Sequence, residues 1–124
     1  MNTINFKDLP TVGTPIEGGI FAGVITHKGV HVAVVLLPDR GEDLTWNMAK
    51  EWVKKQGGEL PTRSVAALLF ANCKTQLTNC WHWTADEDDA FFVWDCHFGN
   101  GDQSSPHKSY ELAAVCVRLI PITA

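Results

Sequence analysis

Residues 81–119 read WHWTADEDDAFFVWDCHFGNGDQSSPHKSYELAAVCVRL, and this segment decides the fold of the 124-residue chain. It contains three of the five tryptophans and three of the five histidines. Large rings are mostly hidden in folded proteins, so we expect them to face a core and the short polar side chains between them to face solvent. The pattern predicts a strand, a long polar loop and a returning strand. The rings expected in the core are Trp81, Trp83, Phe92, Trp94 and Phe98.

Three strands are predicted in this segment, over residues 81–84, 90–98 and 113–120. Side chains alternate between the two faces of a strand, which divides residues 92–98 into two sets. The inward set is Phe92, Trp94, Cys96 and Phe98. The outward set, where we expect a binding surface, is Val93, Asp95 and His97.

The N-terminal part of the chain predicts a β-hairpin. Two runs rich in β-branched residues, 20–26 and 30–37, flank a short segment that contains Gly29. The second run is apolar at nearly every position, so both of its faces should be covered. Residues 38–41 read PDRG and predict a turn after this run. Residues 1–15 contain Pro10, Gly13 and Pro15 and are expected to be irregular.

Two helices are predicted between the hairpin and the C-terminal strands. Thr45 is the expected N-cap of the first helix and Gly57 its expected stop. Trp46 and Trp52 lie on one face of that helix and should dock it. Thr62 is the expected N-cap of the second helix, which ends near residue 72. The order of strands, helices and strands predicts an α+β fold in a single domain, residues 1–124.

Composition and charge exclude several classes of partner. A formal net charge of −4 and a pI near 5.6 argue against duplex nucleic acid, which binds basic faces. The longest apolar run is shorter than the ~20 residues of a membrane-spanning helix, so no membrane insertion is expected. Residues 1–10 lack the apolar stretch of a secretory signal, so we expect a cytoplasmic protein. Its four cysteines should then be thiols, with a Cys73–Cys80 disulfide as the alternative.

Five motifs carry a resemblance to a known family. They are LTWNMAKEW (44–52), GGELPTR (57–63), LLFAN (68–72), WHWTADE (81–87) and WDCHFGNGDQS (94–104). Through them, residues 43–120 resemble the bacterial and phage family named after the C-terminal domain of the Legionella collagen-like protein. The resemblance implies a C-type-lectin-like fold, with two helices packed on small antiparallel sheets. Residues 43–124 would be the family core, and residues 1–42 an N-terminal extension with the β-hairpin.

The resemblance also implies that the C-terminal loop region binds a ligand. The wider lectin-like group includes phage receptor-binding proteins and targets of diversity-generating retroelements, in which exposed positions vary around a fixed core. The EPN or QPD tripeptide of calcium-dependent sugar-binding lectins is absent, so calcium-dependent sugar binding is not expected. The predicted ligand-binding residues are Asp86, Asp88, Asp95, His97, Asn100, Asp102, Ser105 and His107.

Neither a catalytic site nor a metal or cofactor site is predicted. Residues 86–89 read DEDD but lack the spacing of a calcium loop, so we prefer a solvated turn, with a cation site as the alternative. His82, His97 and His107 have no spacing that brings them together, and each is interpreted as a surface histidine. Cys96 and His97 are strand neighbours that point to opposite faces, so they cannot form a nucleophile–base pair.

The sequence therefore predicts a non-enzymatic module of a phage or prophage in the bacterial cytoplasm, with virion association as an open alternative. Its partner is expected to be a protein or host-surface ligand bound by residues 86–107, and homo-oligomerisation is left open. A phage-encoded inhibitor that blocks a host defence complex is the second hypothesis, since the chain is short and acidic and has no fibre repeats. An enzyme of unknown reaction is the third.

Overall fold

A computed structural model describes residues 3–124, which form the predicted α+β fold. Short 3-10 turns occur at Phe6–Asp8 and Lys74–Gln76. The strands and helices, in chain order, are β1 (Ile4–Asn5), β2 (Pro15–Ile16), β3 (Gly19–His27), β4 (Val30–Leu44), α1 (Trp46–Gln56), α2 (Arg63–Cys73), β5 (Trp81–Glu87), β6 (Val93–His97), β7 (Gln103–Ser104) and β8 (Leu112–Thr123).

The strands form one mostly antiparallel sheet. Its order is β2-β3-β4-β8-β5-β6-β7, and β1 pairs separately with β8. Only the β1–β8 and β5–β8 pairs are parallel among the described strands. The pairing of Ile4 with Ile122 brings the start of the described chain beside its end. An irregular segment was predicted over residues 1–15. That prediction is wrong at β1 and at Pro15, which begins β2. Residues 1 and 2 lie outside the described residues.

The two helices cover opposite faces of the central strands. One hydrophobic cluster gathers around α1 and contains Trp46, Ala49 and Val53 of that helix. The other gathers around α2 and contains Val65, Ala66 and Leu69. Alternate side chains of β4 enter the two clusters, because Cβ atoms alternate between the faces of a strand. The α1 side receives Ala33, Val35 and Leu37, and the α2 side receives Val34 and Leu36.

Both predicted helix starts are confirmed at the atomic level. The Thr45 hydroxyl accepts a hydrogen bond from the Met48 amide at 3.3 Å, and the Thr62 hydroxyl accepts one from the Val65 amide at 3.2 Å. Gly57 ends α1 with a φ of 84°, a conformation that favours glycine. The two threonine hydroxyls satisfy amides, and the Gly57 amide satisfies carbonyls, that a helix leaves without internal partners.

The predicted hairpin is confirmed, but the predicted turn at residues 38–41 is wrong. Lys28 and Gly29, with φ values of 51° and 78°, form the two-residue connection between β3 and β4. Instead of turning, β4 continues along β8, and the register shifts between Leu36 and Arg40. The Arg40 guanidinium donates a 2.6 Å hydrogen bond to the Leu37 carbonyl across this irregularity. The turn-like residues 38–41 thus lie at a bulge within β4 and not in a turn.

Two further features concern the environment of the chain. Within residues 3–124, no helix has both the length and the apolar character needed to cross a membrane. All four cysteines are free thiols, as predicted. Cys73, Cys96 and Cys116 are buried, and Cys80 is half-buried.

Candidate functional site

Three rings contact one another outside the core, next to the start of β6, and a fourth, Tyr110, follows His107 in the same loop. We call Phe91, Phe92, His107 and Tyr110 the aromatic surface. Phe91 is 61% exposed, Tyr110 60% and Phe92 39%, while His107 is half-buried. Grouped exposed rings keep apolar area in contact with water, and such patches mark interaction sites more often than isolated ones do.

The two loops that carry the aromatic surface are held to each other. The His107 ring stacks on Phe91 with centroids 6.3 Å apart and lies edge-on to Phe92 at 5.6 Å. The Lys108 amide donates to the Phe91 carbonyl at 2.9 Å, and the Tyr110 amide donates to the His107 carbonyl at 3.0 Å. An isolated β-bridge also joins Phe92 to His107. The rings are therefore displayed on an ordered platform.

The acidic segment, residues 86–89, supports this platform. One carboxylate oxygen of Asp89 accepts from the amides of Phe91 and Phe92 at 2.8 and 3.0 Å. Asp88 accepts from the Ser105 hydroxyl at 2.9 Å, which links the two loops. Within the described part of the chain, no group of three or more acidic, histidine or cysteine side chains is arranged to hold a metal ion. Asp86 and Glu87 end β5, and only Asp88 and Asp89 lie in the turn that follows.

Asp86, unlike its acidic neighbours, is hydrogen-bonded to α2. It is half-buried, and its carboxylate accepts a 2.7 Å hydrogen bond from the Arg63 amide, in the first turn of α2. A carboxylate at a helix N-terminus also interacts favourably with the helix dipole. Asp86 therefore fixes the base of the acidic segment to α2.

Three other predicted ligand-binding residues lie at the opposite end of β6. From Val93 to His97 the strand spans about 13 Å, at ~3.3 Å per residue. His97 lies edge-on to Trp81, with centroids 5.0 Å apart, and its Nδ1 accepts from the Gly99 amide. Asn100 accepts from the amide of Asp102 at 2.9 Å. We call residues 98–102 the glycine turn; the Asn100 side chain is hydrogen-bonded within it, and Asp102 is exposed.

Gly101 explains how closely the glycine turn approaches α2. Its φ is 83°, and a Cβ at this position would lie 2.8 Å from a ring carbon of Phe70. Both the conformation and the lack of space therefore favour glycine. The turn packs against the second helix and does not extend the aromatic surface.

Asp95 is buried, so the expectation that it faces outward is wrong. It is 2% exposed, and one of its oxygens accepts from the amide and the hydroxyl of Ser104 at 3.1 and 2.6 Å. The alternation argument failed because both faces of β6 are covered: Val93 enters the α1 cluster and Cys96 the α2 cluster. Burial raises the pKa of the Asp95 carboxyl above its ordinary 3.8, against the opposing effect of the Ser104 hydrogen bonds.

The five rings predicted in the core fall into three groups by their exposure. Trp83 and Phe98 are fully buried, as predicted. Trp81 and Trp94 are half-buried, and the Arg63 guanidinium covers Trp94 at 3.7 Å from the ring centroid. The prediction for Phe92 is wrong, because β6 begins only at Val93. The Phe92 carbonyl accepts from the amides of Asp88 and Asp89, which closes a turn before the strand.

The interpretation of His82 as a surface histidine is also wrong, because the residue is only 1% exposed. Its Nδ1 lies 2.9 Å from the Cys80 carbonyl and therefore carries the proton, which leaves Nε2 to accept from the Thr78 hydroxyl at 3.3 Å. Burial lowers the pKa of His82 to about 4, so the ring is neutral near pH 7.

This histidine is a poor candidate for activating a nucleophile. The Thr78 hydroxyl lies 3.5 Å from the sulfur of Cys80, beside a cleft of about 350 Å³. These contacts form a chain from the Cys80 thiol through Thr78 to His82. An imidazole with a pKa of about 4 is, however, too weak a base to hold a proton from a thiol, whose ordinary pKa is ~8.5. The arrangement orders the segment that leads into β5.

Phe91 and Tyr110 are the members of the aromatic surface that sequence reasoning missed. Phe91 lies within DEDDAFF, where two rings follow four acidic residues. Ionised carboxylates are costly to remove from water, so they keep closely tethered neighbours near the surface. That constraint was the available signal for Phe91. Tyr110 has no comparable signal.

Comparison with known proteins adds no assignment. No protein-family model matches the chain, and a search of curated proteins found no match. The family resemblance of residues 43–120 stays a prediction.

Proposed function

We propose that this protein is a non-enzymatic binding module that recognises a protein ligand through the aromatic surface and the adjoining acidic segment. The observation that carries the proposal is the exposure of Phe91, Phe92 and Tyr110 on loops fixed by hydrogen bonds. Aromatic side chains supply much of the binding energy in protein interfaces. Fixed loops lower the entropy that binding must remove.

The proposed site keeps part of the predicted one. Asp86, Asp88, Ser105 and His107 border or belong to the aromatic surface. Asp95 lies inside and acts as support for Ser104. The remaining predicted ligand-binding residues, at the other end of β6, are His97, Asn100 and Asp102.

A C-type-lectin-like arrangement is part of the proposal. Three features support it: β1 pairs with β8 near the chain ends, the two helices cover opposite faces of the central strands, and the loops between β5 and β8 carry the candidate site. Fold likeness alone does not assign a ligand, so the function is argued from the site.

A phage or prophage origin and a bacterial cytoplasmic setting also belong to the proposal. Four free thiols suit a reducing compartment. The partner would be a host protein, and an inhibitor of a host defence complex would use the same surface. Diversification by a retroelement would require a template repeat and a reverse transcriptase gene beside this gene, which genome sequencing would reveal.

The proposal can be tested by affinity capture from an extract of the bacterium that carries the gene. We would compare the wild-type protein with the double variant Phe91→Ala/Tyr110→Ala and with the matched control Asn100→Ala/Asp102→Ala. We expect the wild type and the control to recover the same partner, identified by mass spectrometry, and the ring variant to lose it. The purified partner should then bind in the same rank order.

Circular dichroism of the three proteins would establish that each is folded. Equal recovery of the partner by all three folded proteins would contradict the assignment of the aromatic surface. Loss of the partner only with the Asn100→Ala/Asp102→Ala control would move the site to the glycine turn.

A further inference from the structure

The net charge of the chain is concentrated in the two segments that form the candidate site. Residues 86–92 and 105–111 contain five carboxylates and one lysine, which gives a net charge of −4. The whole chain has 14 acidic and 10 basic residues and the same net charge of −4. The rest of the chain therefore has nine residues of each sign and is neutral on balance.

The aromatic surface also differs from other rings in its lack of an internal cation. Lys50 lies 3.8 Å from the ring centroid of Trp46, Arg63 lies 3.7 Å from that of Trp94, and Lys74 lies 5.2 Å from that of Phe70. Among residues 3–124, no such pair involves a ring of the aromatic surface. A cation near a ring face is attracted by the ring's negative quadrupole, so the solvent-exposed parts of these rings stay available to an external cation.

The loop carboxylates are not neutralised from within either. In the described part of the chain, the single salt bridge joins Lys54 to Glu51 on α1. Asp88 and Asp89 are exposed, and their hydrogen bonds to the described residues use one carboxylate oxygen each. Glu87 is exposed, and its side chain forms no hydrogen bond with any residue of the described range 3–124. The exposed carboxylates and rings therefore lie in adjoining segments, and no described residue forms a salt bridge with these carboxylates.

We propose that the aromatic surface binds a basic segment of its partner protein, with an arginine or lysine side chain over an exposed ring and neighbouring cations against the acidic segment. This inference rests on the proposed function and names its ligand class. Charge complementarity selects this occupant, because a neutral or acidic segment would leave the loop carboxylates uncompensated. Arginine suits the site best, since its planar guanidinium stacks on rings and pairs with carboxylates.

Fluorescence anisotropy with labelled hexa-arginine, hexa-lysine and hexa-glutamate peptides would test the ligand class on the full-length protein. We expect both basic peptides to bind and the acidic peptide not to bind. The affinity should fall as salt is raised, since salt screens exposed charges.

Two variants separate the contributions of charge and rings. The first is the triple variant Glu87→Gln/Asp88→Asn/Asp89→Asn, which removes three charges and preserves side-chain shape. It should weaken hexa-arginine binding by about tenfold or more. A matched control, Glu42→Gln/Asp43→Asn/Glu51→Gln, makes the same charge change in the neutral remainder and should leave the affinity unchanged. Phe91→Leu/Tyr110→Leu keeps apolar side chains without rings and should weaken binding by about three- to tenfold.

Failure of both basic peptides to bind would overturn the proposed ligand class. Equal weakening by the loop variant and its control would also overturn it, because binding would then follow overall charge. Spermine that binds as tightly as hexa-arginine would contradict a protein segment as the ligand. If the partner is captured through the aromatic surface while the basic peptides fail, the proposed function stands and the basic ligand class falls.

Discussion

The two ends of β6 use similar residues in opposite ways. At its C-terminal end, His97 Nδ1 and Asn100 Oδ1 accept hydrogen bonds from nearby amides, and the glycine turn packs against α2. At its N-terminal end, hydrogen bonds are used to hold rings in solvent. Polar character in a loop is therefore a weak marker of a binding surface. A better marker is whether a side chain's capacity for contact is already used inside the molecule.

The largest difference between the ends should appear on truncating their phenylalanines. Phe98 is 1% exposed and Phe92 is 39% exposed. We expect Phe98→Ala to lower the free energy of unfolding by about 3–5 kcal/mol, and Phe92→Ala by about 1 kcal/mol, because only the first leaves a buried cavity. Urea unfolding of both variants measures the two losses. Equal losses of stability in the two variants would contradict the conclusion that Phe98 is a core residue and Phe92 a surface residue.

The buried His82, which packs against Phe98 at 4.5 Å between ring centroids, should make stability depend on pH. Its folded pKa of about 4 lies below its ordinary 6.5, so the unfolded chain binds the proton more readily. The stabilisation is complete above pH 6.5 and is lost as the pH falls to about 4, a change of about 3 kcal/mol.

Urea unfolding at a series of pH values would measure this dependence. The raised pKa of Asp95 has the opposite sign, since its contribution falls as the pH rises above 3.8. Comparing the wild type with His82→Gln isolates the histidine, and the exposed His31→Gln serves as the control. If the free energy of unfolding depended on pH in the same way in the wild type and in His82→Gln, the lowered pKa of His82 would be contradicted.

A smaller effect is expected in the glycine turn. Asn100→Ala removes the acceptor of the Asp102 amide, whose hydrogen bond is exposed, and should cost about 0.5–1 kcal/mol of stability. Partner binding should be unchanged, since this residue lies away from the aromatic surface. A loss of partner binding in the folded variant would argue for a ligand site at both ends of β6.

The smallest effect on stability is expected for the most exposed ring. Phe91→Ala should change the free energy of unfolding by less than about 0.5 kcal/mol, because the side chain is 61% exposed and has little packing to lose. Thermal or urea unfolding would measure the change. A loss above about 2 kcal/mol would indicate a structural role for Phe91.

Local sequence signals predicted the helices and hairpin well. Thr45, Gly57 and Thr62 act through contacts within a few residues, so their roles can be inferred from neighbouring sequence. The turn predicted at residues 38–41 failed because pairing with β8, far away in sequence, keeps these residues in a strand. Tertiary pairing decided between two locally acceptable conformations.

The residues of the candidate site were predicted only in part, for a related reason. Alternation assigns the faces of a strand but does not reveal whether one face or both are covered. Since β7 and β5 flank β6 and both helices contribute to its surroundings, Asp95 became buried. The position of Phe92 depended on where β6 starts, which a hydrogen-bonded turn through Asp89 determines.

The most direct test of the aromatic surface is hydroxyl-radical footprinting of the protein alone and in complex with the captured partner. Radicals oxidise accessible rings, and mass spectrometry locates each modified residue. We expect Phe91, Phe92 and Tyr110 to be oxidised in the free protein and protected in the complex, with Trp81 unchanged. Protection at Trp81 and His97, with Phe91 and Tyr110 as reactive as before, would contradict the assignment of the binding site.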